Sequence, residues 1–535
     1  MTPSRPPAEQ RRSAGSAGSA GVQPAGVRAA GLCWHPLGRS APVLAGVDLQ
    51  IAPGERVLLA GASGSGKSTL LRAIAGILGA AEPGELTGTV AVDGAPTVGG
   101  DGRVGLLVQD PSDARVAGRI GRDVAFGPEN LAVPRAQIHD RIAWALEAVG
   151  LRYGVQHRSD ALSGGEAQRL ALAGVLAMRP GVVLLDEPTS MLDAASAAAV
   201  IEAVRAVVAS CGATLVVVEH QLEGWVDVVD RLVVLGSDEH HGAHGGGAAT
   251  VVADGPVAAV LAQCGPELAR RGVWVPGQPD PEPWAIPESL VEPLVELPRG
   301  QLLVTAEAVS LRRRERRGLS VVRRDLAVIT ALDGVDAQVR SGRWDALTGP
   351  SGSGKSTLLE VMCGLTPPTT GTVSADPALA RGARGEPWRW SGAELATRVG
   401  WVPQRAELTV VGRTVAESML ATTRALGQDE RSSQRRAKGL LEVVGLGALA
   451  GRNPHQLSGG ELRRLAMATA LVHGPALMAC DEPTVGQDRD TWSAVAGLIG
   501  GYARAGGGQL VATHDARLTA HADGVIALAA GRRVS

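Results

Sequence analysis

Short runs of wholly apolar residues recur along the chain, and each ends abruptly in glycine or in charge. Val57-Leu-Leu-Ala60 reads as a buried strand; a glycine-rich turn follows, and Leu70-Leu-Arg-Ala-Ile-Ala75 then has helical character. Gly181-Val-Val-Leu-Leu runs into Asp186 and Glu187, and Leu215-Val-Val-Val runs into Glu219 and His220. Strands apolar at every position are covered on both faces, which predicts a mainly parallel sheet flanked by helices.

The pattern is written twice. Gly61-Ala-Ser63-Gly64-Ser65-Gly66-Lys67-Ser68-Thr69 recurs as Gly349-Pro-Ser351-Gly352-Ser353-Gly354-Lys355-Ser356-Thr357. Leu162-Ser163-Gly164-Gly165-Glu166 recurs as Leu457-Ser458-Gly459-Gly460-Glu461, and Asp186-Glu187-Pro-Thr189 as Asp481-Glu482-Pro-Thr484. The offset is 288 residues for the first pair and 295 for the others, so the later half gains seven residues, placed around Arg381 to Trp390. Between the halves, Pro276 to Pro298 is dense in Pro and Glu, and prolines at this density neither continue a helix nor pair in a central strand. The expected organisation is a disordered tail over 1–26, a first domain over 27–264, a linker over 265–300 and a second domain over 301–535.

Composition narrows the class. The 535 residues exceed one compact core, at about 100 to 200 residues per domain, and 45% hydrophobic with 20% charged residues fits folded domains. With 52 basic against 54 acidic residues the net charge is -2, so no global positive field points to nucleic acid. No uncharged apolar run has the length of a bilayer span; Leu465 to Cys480 comes near but contains His473, Gly474 and Pro475. Five scattered cysteines show no Cys-x-x-Cys spacing and suit a reducing compartment. Arg11-Arg12 precedes an Ala/Gly/Ser repeat, not the apolar core of a signal peptide.

Strand, glycine loop and helix in that order form a phosphate-binding loop. Glycines let successive N–H groups turn inward, the helix start adds partial positive charge, and Lys67 or Lys355 adds a full one. Ser68 and Ser356 stand where a hydroxyl ligates Mg2+. Adjacent strand residues face opposite ways, so the paired acids divide the work. Asp186 and Asp481 are expected in the metal shell, Glu187 and Glu482 beside the attacking water.

Leu-Ser-Gly-Gly-Glu is the motif at which a family becomes recognisable. The chain resembles two ATP-binding cassettes of the ABC superfamily fused in tandem, each with motifs in the family's order. The Q-loop glutamines would be Gln109 and Gln404, expected as further metal ligands; the D-loop acids Asp193 and Asp488; the switch histidines His220 and His514. Gln to signature Ser spans 54 residues in each copy, and signature Ser to Walker B Asp spans 23. The resemblance implies a head-to-tail pair with ATP and Mg2+ at both sites: Lys67 faced by Ser458, Gly459 and Gly460, and Lys355 faced by Ser163, Gly164 and Gly165. It also places Trp34 as the aromatic that stacks on adenine, for which Leu311 to Arg317 offers only Arg312 or Arg313 as a substitute.

Gln109-Asp110-Pro111 followed by Asp123-Val-Ala-Phe126-Gly-Pro-Glu-Asn-Leu131 is similar to the Q-loop region of energy-coupling-factor and cobalt-type importer ATPases. That likeness implies an integral membrane scaffold, a substrate-capturing membrane subunit and a place at the cytoplasmic face of the membrane. Other twin-cassette importers or exporters remain open. Translation-associated twin cassettes differ by a long charged linker, and DNA-repair cassettes by zinc modules. The histidines His240, His241 and His244, in a glycine-rich loop, and the arginines from Arg312 to Arg324 read as solvated surface.

Overall fold

A computed structural model describes residues 22–39, 41–236, 248–316 and 326–534. His240, His241, His244 and Arg317 to Arg324 lie outside the described residues, as does most of the expected tail.

Each half carries a six-stranded sheet. In the first the order is Thr250–Pro256, Arg231–Gly236, Arg56–Ala60, Thr214–Val218, Val182–Asp186 and Val104–Leu107. All neighbours are parallel except the outermost pair, Thr250–Pro256 with Arg231–Gly236. The second half repeats the order with Arg532–Val534, Gly524–Ala529, Arg343–Thr348, Gly508–Ala512, Leu477–Asp481 and Val399–Val402. The strand before each phosphate loop is therefore central, and each Asp-Glu pair ends a strand separated from it by one other. Antiparallel sheets built on Val27–Pro36 and Leu302–Arg316 pack against these cores. The expected α/β class, two mainly parallel cores each with an antiparallel portion and a helical lobe, is what the chain forms.

A helix opens behind each Ser-Gly-Gly-Glu, over Gly164–Ala177 and Gly459–Val472. Both starts are closed by a capping box: the Ser side chain accepts from the Glu N–H while the Glu side chain accepts from the Ser N–H. The short helices Pro377–Ala380 and Gly392–Ala396 flank the stretch where the extra residues of the later half are placed. Helix Ala194–Cys211 is long and apolar enough, by composition, to cross a membrane, a point the sequence reading passed over. It carries Glu202 and Arg205, and Val200, Val204 and Val207 join the interior of the first half.

The join between the halves differs from the expected spacer. Helix Val257–Arg270 runs through the expected boundary at Cys264. Beyond it the chain lies on the second half: Arg489 N donates to Gly272 O at 2.9 Å, Trp284 N to Ser493 O at 2.9 Å and Leu294 N to Gly474 O at 3.0 Å. Ile286 and Val291 are buried in the second half's core. Prolines keep this segment extended, and their carbonyls remain free to accept, as Pro279 O does from Arg489. The result is a strap.

Candidate active sites

The loop backbone sets each site. Gly66 and Gly354 have φ of 79° and 103°, left-handed values that turn the chain directly into the helices Lys67–Ile74 and Lys355–Met362. A Cβ on Gly61 would lie 2.4 Å from Leu235 O, and one on Gly349 2.1 Å from Leu528 O, so neither loop admits a side chain there. Ser63, Gly64, Ser351 and Gly352 form the exposed tips, while Thr69 and Thr357 lie half-buried in the first turns. The lysines are buried and fold onto their own loops: Lys67 Nζ donates to Gly61 O and Ala62 O at 2.9 and 2.8 Å, and Lys355 Nζ to Gly349 O at 2.7 Å. Ser65 Oγ and Ser353 Oγ are buried without a partner. Inward N–H groups, a sequestered ammonium and an orphaned hydroxyl form a cradle that suits a polyphosphate.

Ser68 Oγ donates to Asp186 Oδ1 at 2.9 Å, and Ser356 Oγ repeats the bond to Asp481 Oδ1 at 2.9 Å. These hard oxygens beside the cradle fit Mg2+. Burial raises both aspartates, reinforced by the adjacent glutamates, and Asp481 reaches about 6.

Glu187 and Glu482 follow with φ of 47° each, a strained value for a side-chain-bearing residue, costing on the order of 1–3 kcal/mol. The twist aims each carboxylate at its switch histidine. His220 Nε2 is 2.7 Å from Glu187 Oε1, and His514 Nδ1 is 3.0 Å from Glu482 Oε2. Burial pushes Glu187 up, but His220 and Lys67 outweigh it and hold the group below the usual range. Glu482 is likewise lowered against burial by His514 and Lys355, and Glu482 raises His514 in return. A carboxylate kept ionised beside the phosphate cradle can accept a proton from water.

The two sites are dressed differently. Gln109 Nε2 donates to Glu187 Oε2 at 2.7 Å. Gln404 is exposed, and its main-chain carbonyl, not its side chain, is held, by Arg463. Lys355 Nζ also reaches Glu482 Oε1 at 3.5 Å. Burial lowers Lys67 and works against the charge on His514; across the halves, Asp488 opposes it at Lys67 and Asp193 at His514, each favouring the charged form. Each of these acids also caps a helix, accepting from Ser196 N or Thr491 N. The D-loop acid of each half thus reaches the opposite site.

One expectation is corrected. Trp34 is fully buried, its ring against Gly84, and offers no face to adenine. Leu32 and Trp34 lie two apart on one strand and turn to the same inward side. Leu311, also buried, stands beside Val309 in the same manner in the second half. Arg313 is held by Glu360 at 2.7 Å on the helix behind the loop, while Arg312 is exposed.

Two residues escaped the sequence reading. Glu219 is buried and accepts from Thr189 N at 2.9 Å, and burial pushes it up to about 8. Comparing copies would have flagged it, since Thr513 stands in its place. Trp274 joins the first switch segment to the second half through non-local contacts that no local pattern announces.

The family model of the ABC transporter matches residues 44–190 and 332–485, more than half of the chain and once in each half. The chain belongs to the ABC transporter family. It is an ATP-hydrolysing member of that family, with two cassettes in tandem. "Putative ABC transporter ATP-binding protein SCO2324" of Streptomyces coelicolor is 33% identical across 93% of this cassette pair and 91% of its own length. "Putative HMP/thiamine import ATP-binding protein YkoD" of Bacillus subtilis is 30% identical across 91% and 87%. Among solved structures, the RNase-L inhibitor overlays on 94% of this chain and 89% of its own with a TM-score of 0.53. At 20% identity that likeness concerns the fold alone.

Proposed function

We propose that the chain is the motor subunit of an energy-coupling-factor type importer, carrying a vitamin, a vitamin precursor or a transition-metal ion. One observation carries this reading. Phe126, the only Phe in the sequence, is 48% exposed on helix Ile120–Asn130, just beyond the Q-loop, where a core role would have buried it. Exposed Val116 lies in the same region, and Leu408 and Val411 are exposed beyond Gln404 in the second cassette. Two apolar but dissimilar patches suit an asymmetric membrane scaffold. The likeness to the import ATPase YkoD supports the same reading.

Within the motor, ATP is clamped head to tail. Lys67 and the backbone of Gly61 to Thr69 hold phosphates that Ser458, Gly459 and Gly460 complete, while Lys355 and Gly349 to Thr357 pair with Ser163, Gly164 and Gly165. Ser68, Gln109 and Asp186, or Ser356, Gln404 and Asp481, would hold Mg2+, which would supply charge neutralisation of the phosphates when bound. Glu187 and Glu482 take the proton of the attacking water; His220 and His514 hold each carboxylate in place. Asp193 and Asp488 register the opposite cassette.

The test is affinity purification from membranes of the natural host. A multi-span scaffold and a small capturing subunit should come with the chain, and Phe126→Asp should lose both while the purified protein still hydrolyses ATP. Recovery of the chain with neither membrane protein, or unchanged recovery with Phe126→Asp, overturns the reading.

A further inference from the structure

Trp274 is built into both cassettes. Its N–H donates to His220 O at 2.9 Å and its carbonyl accepts from Leu222 N at 3.0 Å, so it extends the first switch segment as a strand partner. Its indole Nε1 donates to Gln487 O at 2.8 Å, inside the second cassette's D-loop. The guanidinium groups of Arg489 and Arg517 lie 5.3 and 4.6 Å from its ring centre. The ring edge meets Trp492, with centres 6.2 Å apart and planes at 87°.

The path continues. Trp492 is fully buried, and its Nε1 donates to Asp515 Oδ2 at 2.7 Å. Asp515 follows the second switch histidine and caps helix Ala516–Thr519. Two tryptophans therefore bridge the segment carrying His220 to the segment carrying His514. The duplicated copy has no such pair: the position 295 residues before Trp492 is Ala197.

We propose that Trp274 and Trp492 are positioning residues that join the two switch segments into one mechanical unit, so that each hydrolytic site senses the state of the other. Indole rings are rigid, stacked cations hold one of them, and a hydrogen bond ends the bridge on each side, so displacement of one segment is passed on. The inference rests on the assignment of Glu187 and Glu482 as water-activating bases.

Steady-state turnover of the full chain tests it. With the bridge intact, Glu187→Gln should lower total turnover well beyond the half expected of independent sites. In Trp274→Phe or Trp492→Phe backgrounds, which keep a ring but lose the N–H, the same Glu187→Gln change should lower turnover only about twofold. Asp515→Ala removes the acceptor and leaves both indole rings in the chain, and it should give the same uncoupling, which covers the case of a tryptophan variant that fails to fold. Equal ratios in all backgrounds overturn the proposal. Residual turnover in the Glu187→Gln, Glu482→Gln double variant would instead sink the base assignment beneath it.

Discussion

Gln109 Nε2 donates to Glu187 Oε2 at 2.7 Å, and the second cassette shows no matching bond: among the described residues Gln404 makes no side-chain contact with Glu482. The first glutamate is held between an amide and an imidazole, the second between an imidazole and a lysine. Sites alike in composition thus rest in different states. Gln109→Ala should slow hydrolysis at the first site more than Gln404→Ala slows it at the second. Single-turnover assays in Glu482→Gln and Glu187→Gln backgrounds separate the two, and equal effects would contradict the asymmetry.

Removing both bases should abolish multiple turnover while leaving nucleotide binding intact. A lost general base costs about 10²–10⁴-fold in rate. Glu187→Gln with Glu482→Gln should therefore retain ATP on a filter or in a fluorescence titration and release no phosphate above background.

Ser68 and Asp186 share a hydrogen bond at the proposed metal position. Ser68→Ala should raise the Mg2+ concentration for half-maximal hydrolysis at the first site about tenfold or more, as lost metal-site contacts do. A magnesium titration in the Glu482→Gln background reads this directly. An unchanged midpoint would place the ion elsewhere.

Trp34 now belongs to the core. Trp34→Ala should cost about 3–5 kcal/mol of stability, seen as a lowered thermal midpoint. The KM for ATP of the folded fraction should stay within about twofold. A large rise in KM with an unchanged midpoint would restore the adenine role.

Glu219 gives a pH signature. Burial pushes its carboxyl up from an ordinary 4.5 to about 8, so the folded chain keeps a proton that the unfolded chain gives up. Stability from this group is greatest below about pH 4.5 and falls as pH rises toward 8, by up to about 1.4 kcal/mol per pH unit. Glu219→Gln should flatten the decline of the thermal midpoint between pH 5 and 8. An equal decline in both proteins would show that Glu219 ionises normally.

In the first half the phosphate loop, the paired acids and the switch histidine were legible because each is punctuation at the end of a mainly apolar strand; in the second half, where Asp345 and Gln509 interrupt the strands, they were legible by repetition. Strand geometry alone fixes where such ends converge. Trp34 was misplaced because its motif register was weighed and its parity with Leu32 was not, although two-residue alternation decides which way a strand residue faces. The course of residues 271–294 was not legible at all. Proline density excludes helix and central strand, but it cannot say which surface the extended chain will lie on. That choice is made by Ile286, Val291 and the carbonyl partners of another domain.

Because the strap is fastened from Gly272 onward, little slack separates the end of helix Val257–Arg270 from its first anchor at Arg489. Two bodies so joined cannot drift apart evenly. They must open as a book does, with the spine beside Trp274 staying shut and the far margin gaping widest. The leaves then find each other again without a search.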